Sequence, residues 1–322
     1  MFITLNSYRK EANREMATAE FEDRIVSIAL EEISATAGFT TPQRGARILR
    51  HFLQRPLRKF ARVLAEVDAR VGEGGLQPGL AWALPHFTQG HVVHHPERVP
   101  ESGSVLVISN HPGGTETLAL PASMPKRDIY LVTNPLPFLR ALPNIQNFTV
   151  FVTEGHPVDA IFKTARLLKA GKLVTLFPQG YLEPDPALLP GAELGFESWS
   201  SSVGLFLKTV PDLVVVPTIV SGVLHKDAYR HPLLKGFKTQ FQRQKMANYL
   251  QVIAKLINRN WFPIRPVINF GKPFGLHDVT RDTQADPITI SELAVARIKA
   301  VLEEVPKTGQ LVSNLPLAYR WM

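Results

Sequence analysis

The chain has 322 residues, 45% of them apolar and 20% charged, which is enough apolar side chain for one large α/β domain with an appendage or for two smaller domains. The absence of cysteine excludes disulfides, cysteine nucleophiles and thiolate metal sites, and it fits a reducing compartment. A formal charge of +8 favours a polyanionic partner: nucleic acid, an anionic lipid surface or a phosphorylated substrate.

The opening residues, Met1 to Lys10, show no apolar core followed by a cleavage site, so no signal peptide is expected. No apolar run approaches the ~20 residues of a membrane-spanning helix. The longest, around Leu213 to Leu224, is interrupted by Pro217 and Gly222. A cytoplasmic protein, peripherally associated with a membrane at most, is expected.

From Glu11 to Ala35, Met16, Phe21, Ile25, Ile28, Ala29 and Ile33 recur at helical spacing with acids between them, and Gly38 ends the pattern. Residues 43–71 carry a stronger stripe, from Ile48 and Phe52 through Phe60 to Val71. Arginines interleave it throughout, against Glu66 and Asp68. Pro56 predicts a kink or two abutting helices. Such a helix can lie in the headgroup zone of an anionic bilayer, or dock on its own domain with a solvated basic face. Nucleic acid is not expected, because no recognition fold, aromatic-basic sheet signature or zinc pattern is present.

Gly72-Glu73-Gly74-Gly75-Leu76-Gln77-Pro78-Gly79 reads as a linker, dividing an N-terminal helical region (1–78) from an α/β domain (79–308) and a C-terminal tail (309–322). His86, His91, His94 and His95 follow in what reads as a solvated loop. No carboxylate stands at a ligand spacing there, so no metal is expected.

Val105-Leu106-Val107-Ile108-Ser109 is a strand-length apolar run that ends in Asn110-His111. A Pro112-Gly113-Gly114 turn leads from it to Thr115-Glu116 at the head of a helix. In open α/β sheets ligands bind at that carboxyl end of the strands. Five residues separate His111 from Glu116, a step that cannot bring two side chains together on one helix. They meet only if the turn folds the chain back, and the glycines are read as supplying the unusual backbone angles. The carboxylate would then hold one imidazole tautomer and stabilise the imidazolium. The plainer alternative is a strand-end histidine satisfied by a local acid.

Strands are predicted at 128–133, 149–152, 172–177, 213–220 and 266–270, with helices at 158–170, 197–209, 238–260 and 290–305. The 238–260 helix is read as a second basic element, and with 43–71 it is expected to meet an anionic membrane surface. This alternation predicts an α/β fold: a mostly parallel central sheet flanked by helices, with an N-terminal helical extension.

Three blocks in order, namely Asn110-His111 with Glu116, then Phe177-Pro178-Gln179-Gly180, then Val216-Pro217-Thr218, resemble the glycerolipid acyltransferase family, which includes the lysophosphatidic acid acyltransferases. The resemblance runs from about Val105 to Val223, with the helical tail of that fold reaching Val305. It implies an O-acyltransferase of lipid metabolism, acting in phospholipid biosynthesis. A fatty acyl group would move from acyl-CoA or acyl carrier protein, as co-substrate and without a cofactor, to a hydroxyl of a lipid-like acceptor.

The same resemblance makes His111 the general base and Glu116 its orienter, in an H-x4-E version of the family's histidine–aspartate pair. It also makes Asn110, Gly113, Gly114, Phe177, Pro178, Gln179, Gly180 and Tyr181 the substrate-binding residues. The family's phosphate-binding arginines correspond here to Thr153-Glu154 and Tyr181-Leu182, which points away from lysophosphatidic acid as the acceptor. Two other readings remain: a thioester hydrolase using the same pair, and a non-catalytic lipid-binding protein on the same fold. The sequence gives no oligomeric state.

Overall fold

In the computed structural model the described residues are 2–39, 41–282 and 285–305, with side chains described from residue 18 onward except at position 42. Met16 and the predicted tail at 309–322 therefore lie outside the described side chains or residues.

Two long helices come first, α1 (Phe2–Thr36) and α2 (Pro42–Gly74). Of the two outcomes expected at Pro56, two abutting helices do not occur: α2 continues through it as one helix. The predicted linker is helical too, because α2 runs to Gly74 and α3 (Leu76–Ala83) starts two residues later. The chain turns only at Gly75, whose φ of +86° suits glycine. The histidine-rich loop contains a short edge strand, β1 (Val92–His94). It reads as a loop in sequence because a three-residue edge strand shows no burial alternation to detect.

Then follow β2 (Val105–Ser109), α4 (Glu116–Ala122), β3 (Ile129–Thr133), α5 (Pro143–Gln146), β4 (Thr149–Phe151), α6 (Pro157–Lys169) and β5 (Leu173–Leu176). The helix predicted at 197–209 starts later, as α8 (Ser202–Thr209); a short helix α7 (Ala192–Gly195) and a single turn at Phe196–Ser198 precede it. The remainder is β6 (Val214–Ser221), α9 (Lys226–Tyr229), α10 (Gln240–Ile257), β7 (Val267–Phe270), α11 (Leu276–Val279) and α12 (Pro287–Glu303).

The seven strands form one sheet in the order β1-β7-β6-β2-β5-β3-β4. All neighbours are parallel except β6 and β7, so β6, β2, β5, β3 and β4 end on the same edge. Every residue of β2 is buried, which explains its unbroken apolar run: a central parallel strand is covered on both faces. Val105 and Val107 face a core shared with Val67 and Val71 of α2, Leu76 and Leu80 of α3, and Leu120 of α4. Leu106 and Ile108 face the opposite core, with Leu168 of α6, Phe206 of α8 and Ile298 of α12. The α2 helix thus joins the core of the sheet directly.

Charge pairing welds α1 to α2. Arg58 binds Asp23 at 2.9 Å, Arg62 binds Glu22 at 2.7 Å, and Arg50 donates to Ser27 Oγ at 2.8 Å. The basic stripe is therefore narrower than its sequence implies. The α10 helix departs further from the expectation of a basic outer face. Lys245 pairs with Glu32 at 2.7 Å, Lys255 is buried, and the face bearing Gln240, Gln244, Asn248 and Gln251 packs inward. Among the described residues no helix is long and apolar enough to cross a membrane.

On the far side of the sheet, α8 crosses α12 at Gly204, where a Cβ would lie 2.0 Å from the Pro287 carbonyl oxygen. The Gly204 amide donates to Ser291 Oγ at 2.8 Å. Gly204→Ala is expected to lower stability by about 1–3 kcal/mol through overpacking, read as a lower urea midpoint with an unchanged m-value.

Candidate active site

The three motif blocks lie on adjacent central strands. His111 follows β2, Phe177 follows β5 on one side, and Val216-Pro217-Thr218 lies within β6 on the other. The chain leaves β2 in one direction for β3 and later returns past it to β6, so the carboxyl ends of β2, β5 and β6 border a topological switch point, where open sheets bind ligands.

His111 and Glu116 do meet. Nδ1 of the ring hydrogen-bonds Oε1 of the carboxylate, which is completely buried at the first residue of α4. Oε2 of Glu116 is buried with no partner among the described residues, so the imidazole is the group that answers this charge. Assigning the proton to Nδ1 leaves a lone pair on Nε2. The ring is 24% exposed, and its face lies against Phe177 with centroids 4.9 Å apart. One nitrogen is thus anchored inside and the other is open.

The turn between them works differently from the expectation. Neither Gly113 nor Gly114 adopts a positive φ. Gly113 is glycine for space: a Cβ there would lie 2.7 Å from Asn248 Oδ1 on α10. Nothing in the structure crowds Gly114. Their two amides have no partner among the described residues, whereas the Gly180 amide donates to Phe177 O at 3.0 Å. Gly180 has φ +72° and needs glycine for conformation.

Two residues expected to touch substrate are occupied inside the protein. Asn110 is 1% exposed; its amide donates to Val220 O at 2.9 Å and accepts from Val220 N at 2.7 Å, locking β2 to β6. Gln179 is buried, and with its amide turned so that the nitrogen faces the carbonyls of Ser198 and Gly195 it donates to them at 3.1 and 3.2 Å. Pro178 O accepts from Ser200 N at 3.1 Å. Tyr181, one residue past Gly180, is 40% exposed.

Two acids that read as loop residues prove central. Glu183 accepts from the His111 backbone N–H at 2.8 Å and from Trp199 Nε1 at 2.8 Å, and its own amide donates to His111 O at 2.8 Å. Asp185 accepts from the amides of Ala187, Gly222, Val223 and Leu224 at 2.8–3.0 Å, fastening this loop to the end of β6. The available signal was the Glu183-Pro184-Asp185-Pro186 run two residues after the Phe-Pro-Gln-Gly block, since acids beside prolines lack neighbouring amide donors and need outside ones. From α10, Gln244 Nε2 donates to Pro112 O and Glu183 O, each at 2.7 Å.

Burial drives the protonation states. It pushes the Glu183 carboxyl up to about 7, against the pull of Trp199, the His111 amide and the His111 ring. Burial also raises Asp185, its four amide donors notwithstanding. On His111 burial is the largest single influence and favours the neutral ring, but the attraction of Glu116 together with Glu183 outweighs it and raises the pKa.

A cavity of about 470 Å³ opens on the same sheet edge, between Arg24, Ser27 and Ile28 of α1 and Pro135, Pro137 and Arg140 after β3. One strand, β5, lies between β3 and β2, a lateral step of roughly 10 Å. Among the described residues no group of three His, Asp or Glu is placed to hold a metal. His86 stacks on Trp82, and His95 approaches Glu97 at 3.3 Å.

No family model matches the chain, and no curated protein matches it. Among solved structures it is similar to the 1-acyl-sn-glycerophosphate (LPA) acyltransferase PlsC from Thermotoga maritima. The TM-score is 0.45 at 18% identity, covering 90% of this chain and 97% of that one.

The sign of the His111 shift is testable without any substrate. Its ring, followed by NMR, is expected to titrate above the ordinary value of ~6.5. Glu116→Gln keeps the burial and removes the attraction, so the midpoint is expected to fall by about one pH unit or more.

Proposed function

We propose that the protein is a lipid O-acyltransferase that uses His111 as general base. The observation that carries the reading is the ring itself: Nδ1 is held by a buried carboxylate, Nε2 is open, and unpartnered amides stand in the adjoining turn. The order of the three blocks and their convergence on β2, β5 and β6 support it.

In the proposed reaction Nε2 accepts the proton of an acceptor hydroxyl as its oxygen attacks the carbonyl of an acyl thioester, acyl-CoA or acyl carrier protein. The negative charge moves to the carbonyl oxygen, where the Gly113 and Gly114 amides are the candidate donors. Collapse forms the ester and breaks the C–S bond, and the thiolate leaves with the proton carried by the imidazolium. Glu116 stabilises that imidazolium while it exists. The acceptor is a hydroxyl on a lipid-like molecule. With Glu154 and Tyr181 standing where arginines would grip a phosphate, a neutral or zwitterionic acceptor fits better than lysophosphatidic acid.

Membrane contact is proposed through the outer face of α2. There Ile48 and Phe52 are 61% and 72% exposed, between Arg44, Arg47 and Arg55, which have no ion-pair partner among the described residues. Lys59 ties this helix to the end of α10 through Leu256 O at 2.9 Å, beside the exposed Ile257 and, farther on, Trp261. Apolar side chains set among arginines suit the headgroup zone of an anionic bilayer.

Purified protein given acyl-CoA and a panel of lipid acceptors is expected to yield acylated lipid by mass spectrometry. His111→Ala is expected to cut the rate roughly 10³-fold or more while the protein stays folded. Retained turnover rejects His111 as the base, and free fatty acid formed equally with and without acceptor identifies a hydrolase instead. For the membrane, binding to phosphatidylglycerol vesicles is expected to weaken steeply between low and high salt and to be lost in Ile48→Asp/Phe52→Asp. Equal binding to neutral vesicles at high salt removes the electrostatic part.

A further inference from the structure

We propose that Glu183 is a positioning residue for the base, fixing the backbone of His111 and, in its ionised form, adding a second negative charge behind its ring; this rests on the reading of His111 as that base. The contact is reciprocal. The carboxylate takes the His111 amide while the Glu183 amide serves the His111 carbonyl, so both backbone polar groups of the histidine end on one residue. The neighbours on either side are locked as well, Asn110 by β6 and Pro112 through Gln244 of α10. Glu183 is therefore the middle member of three fastenings that leave residues 110–112 little freedom.

The carboxylate is itself confined. Glu183 is 1% exposed, its second oxygen holds the Trp199 indole, and a Cβ on Gly195 of α7 would lie 2.6 Å from Oε1. There is no room for it to swing away. A buried carboxylate is a costly way to satisfy one backbone amide, since a neutral acceptor would do the same without desolvating a charge. What the neutral group would not provide is the field. The titratable groups facing Glu183 are His111 and Glu116, and the attraction of Glu183 to the ring adds to that of Glu116. An imidazolium formed during proton transfer is stabilised by both acids, one bonded to the ring and one to the backbone beneath it.

The test uses Glu183→Gln and Glu183→Gln/Trp199→Phe in the full chain. In the single variant the amide NH2 must face an N–H donor. Removing the indole lets the Gln oxygen take the His111 amide without that clash, which restores the backbone acceptor without its charge. The His111 ring is expected to titrate about 0.5–1 pH unit lower in both variants. Melting temperature should recover toward wild type in the double variant alone. With an acyl donor, kcat is expected to drop about tenfold or more, with KM changed less than about twofold.

An unmoved His111 midpoint in the folded double variant overturns the assignment and makes Glu183 a purely structural acceptor. If the single variant does not fold, the double variant carries the same titration. A wild-type protein that transfers no acyl group overturns the acyl-transfer reading separately, because the titration needs no substrate.

Discussion

The structure around the candidate site depends on one buried ionic contact, the carboxylate of Glu116 against Nδ1 of His111. Water does not reach that carboxylate, and one of its oxygens has no partner among the described residues. A charge buried so poorly solvated is tolerated only beside a group that can become positive, which ties the identity of residue 111 to that of residue 116. The ring in turn is held through Nδ1, which leaves its other nitrogen free of that bond at the carboxyl edge of the sheet. The proposed activation of a hydroxyl would need that arrangement, and a fully solvated histidine would not hold it.

Around this contact the protein buries polar groups freely and pairs most of them. Asn110 spends both ends of its amide on Val220, Asp185 collects four backbone amides, and Gln251 accepts from His225 N at 3.1 Å and donates to Val223 O at 2.6 Å. Each bond is worth about 1 kcal/mol net, and each broken one costs more because its partner stays buried. Such a network favours one arrangement over any gain in raw stability. It fixes the loops after β2, β5 and β6, which border the candidate site, to one another and to α10. The α10 helix is central to this, since its Gln244 and Gln251 donate to the carbonyls of Pro112, Glu183 and Val223 in those loops.

The N-terminal helices follow a similar economy of charge. Several arginines that suggest a broad cationic face are paired across α1 and α2, and the cations of α10 are turned inward or bonded. What remains outside is a short stretch of α2 in which exposed apolar side chains alternate with arginines. Within these helices the unpaired basic surface is thus smaller than their sequence suggests.

Much of this was determined by local sequence. The apolar run at 105–109 specifies a central strand because both its faces are covered. The polar pair that ends it marks the ligand edge, and the alternation of strand and helix specifies a mostly parallel sheet. The His111–Glu116 partnership was legible as well, since their spacing requires a fold-back and the turn residues allow one. Three things were decided only by tertiary structure. Glu183 and Asp185 matter through donors that lie 72 and 37 or more residues away, contacts that no window of sequence contains. Asn110 and Gln179 look like substrate residues until packing shows their amides already bonded. Gly113 is required by the approach of α10, which follows it by more than a hundred residues. Periodicity and turn chemistry report on neighbours along the chain, whereas the partner of a buried polar group is set by which distant segment packs against it.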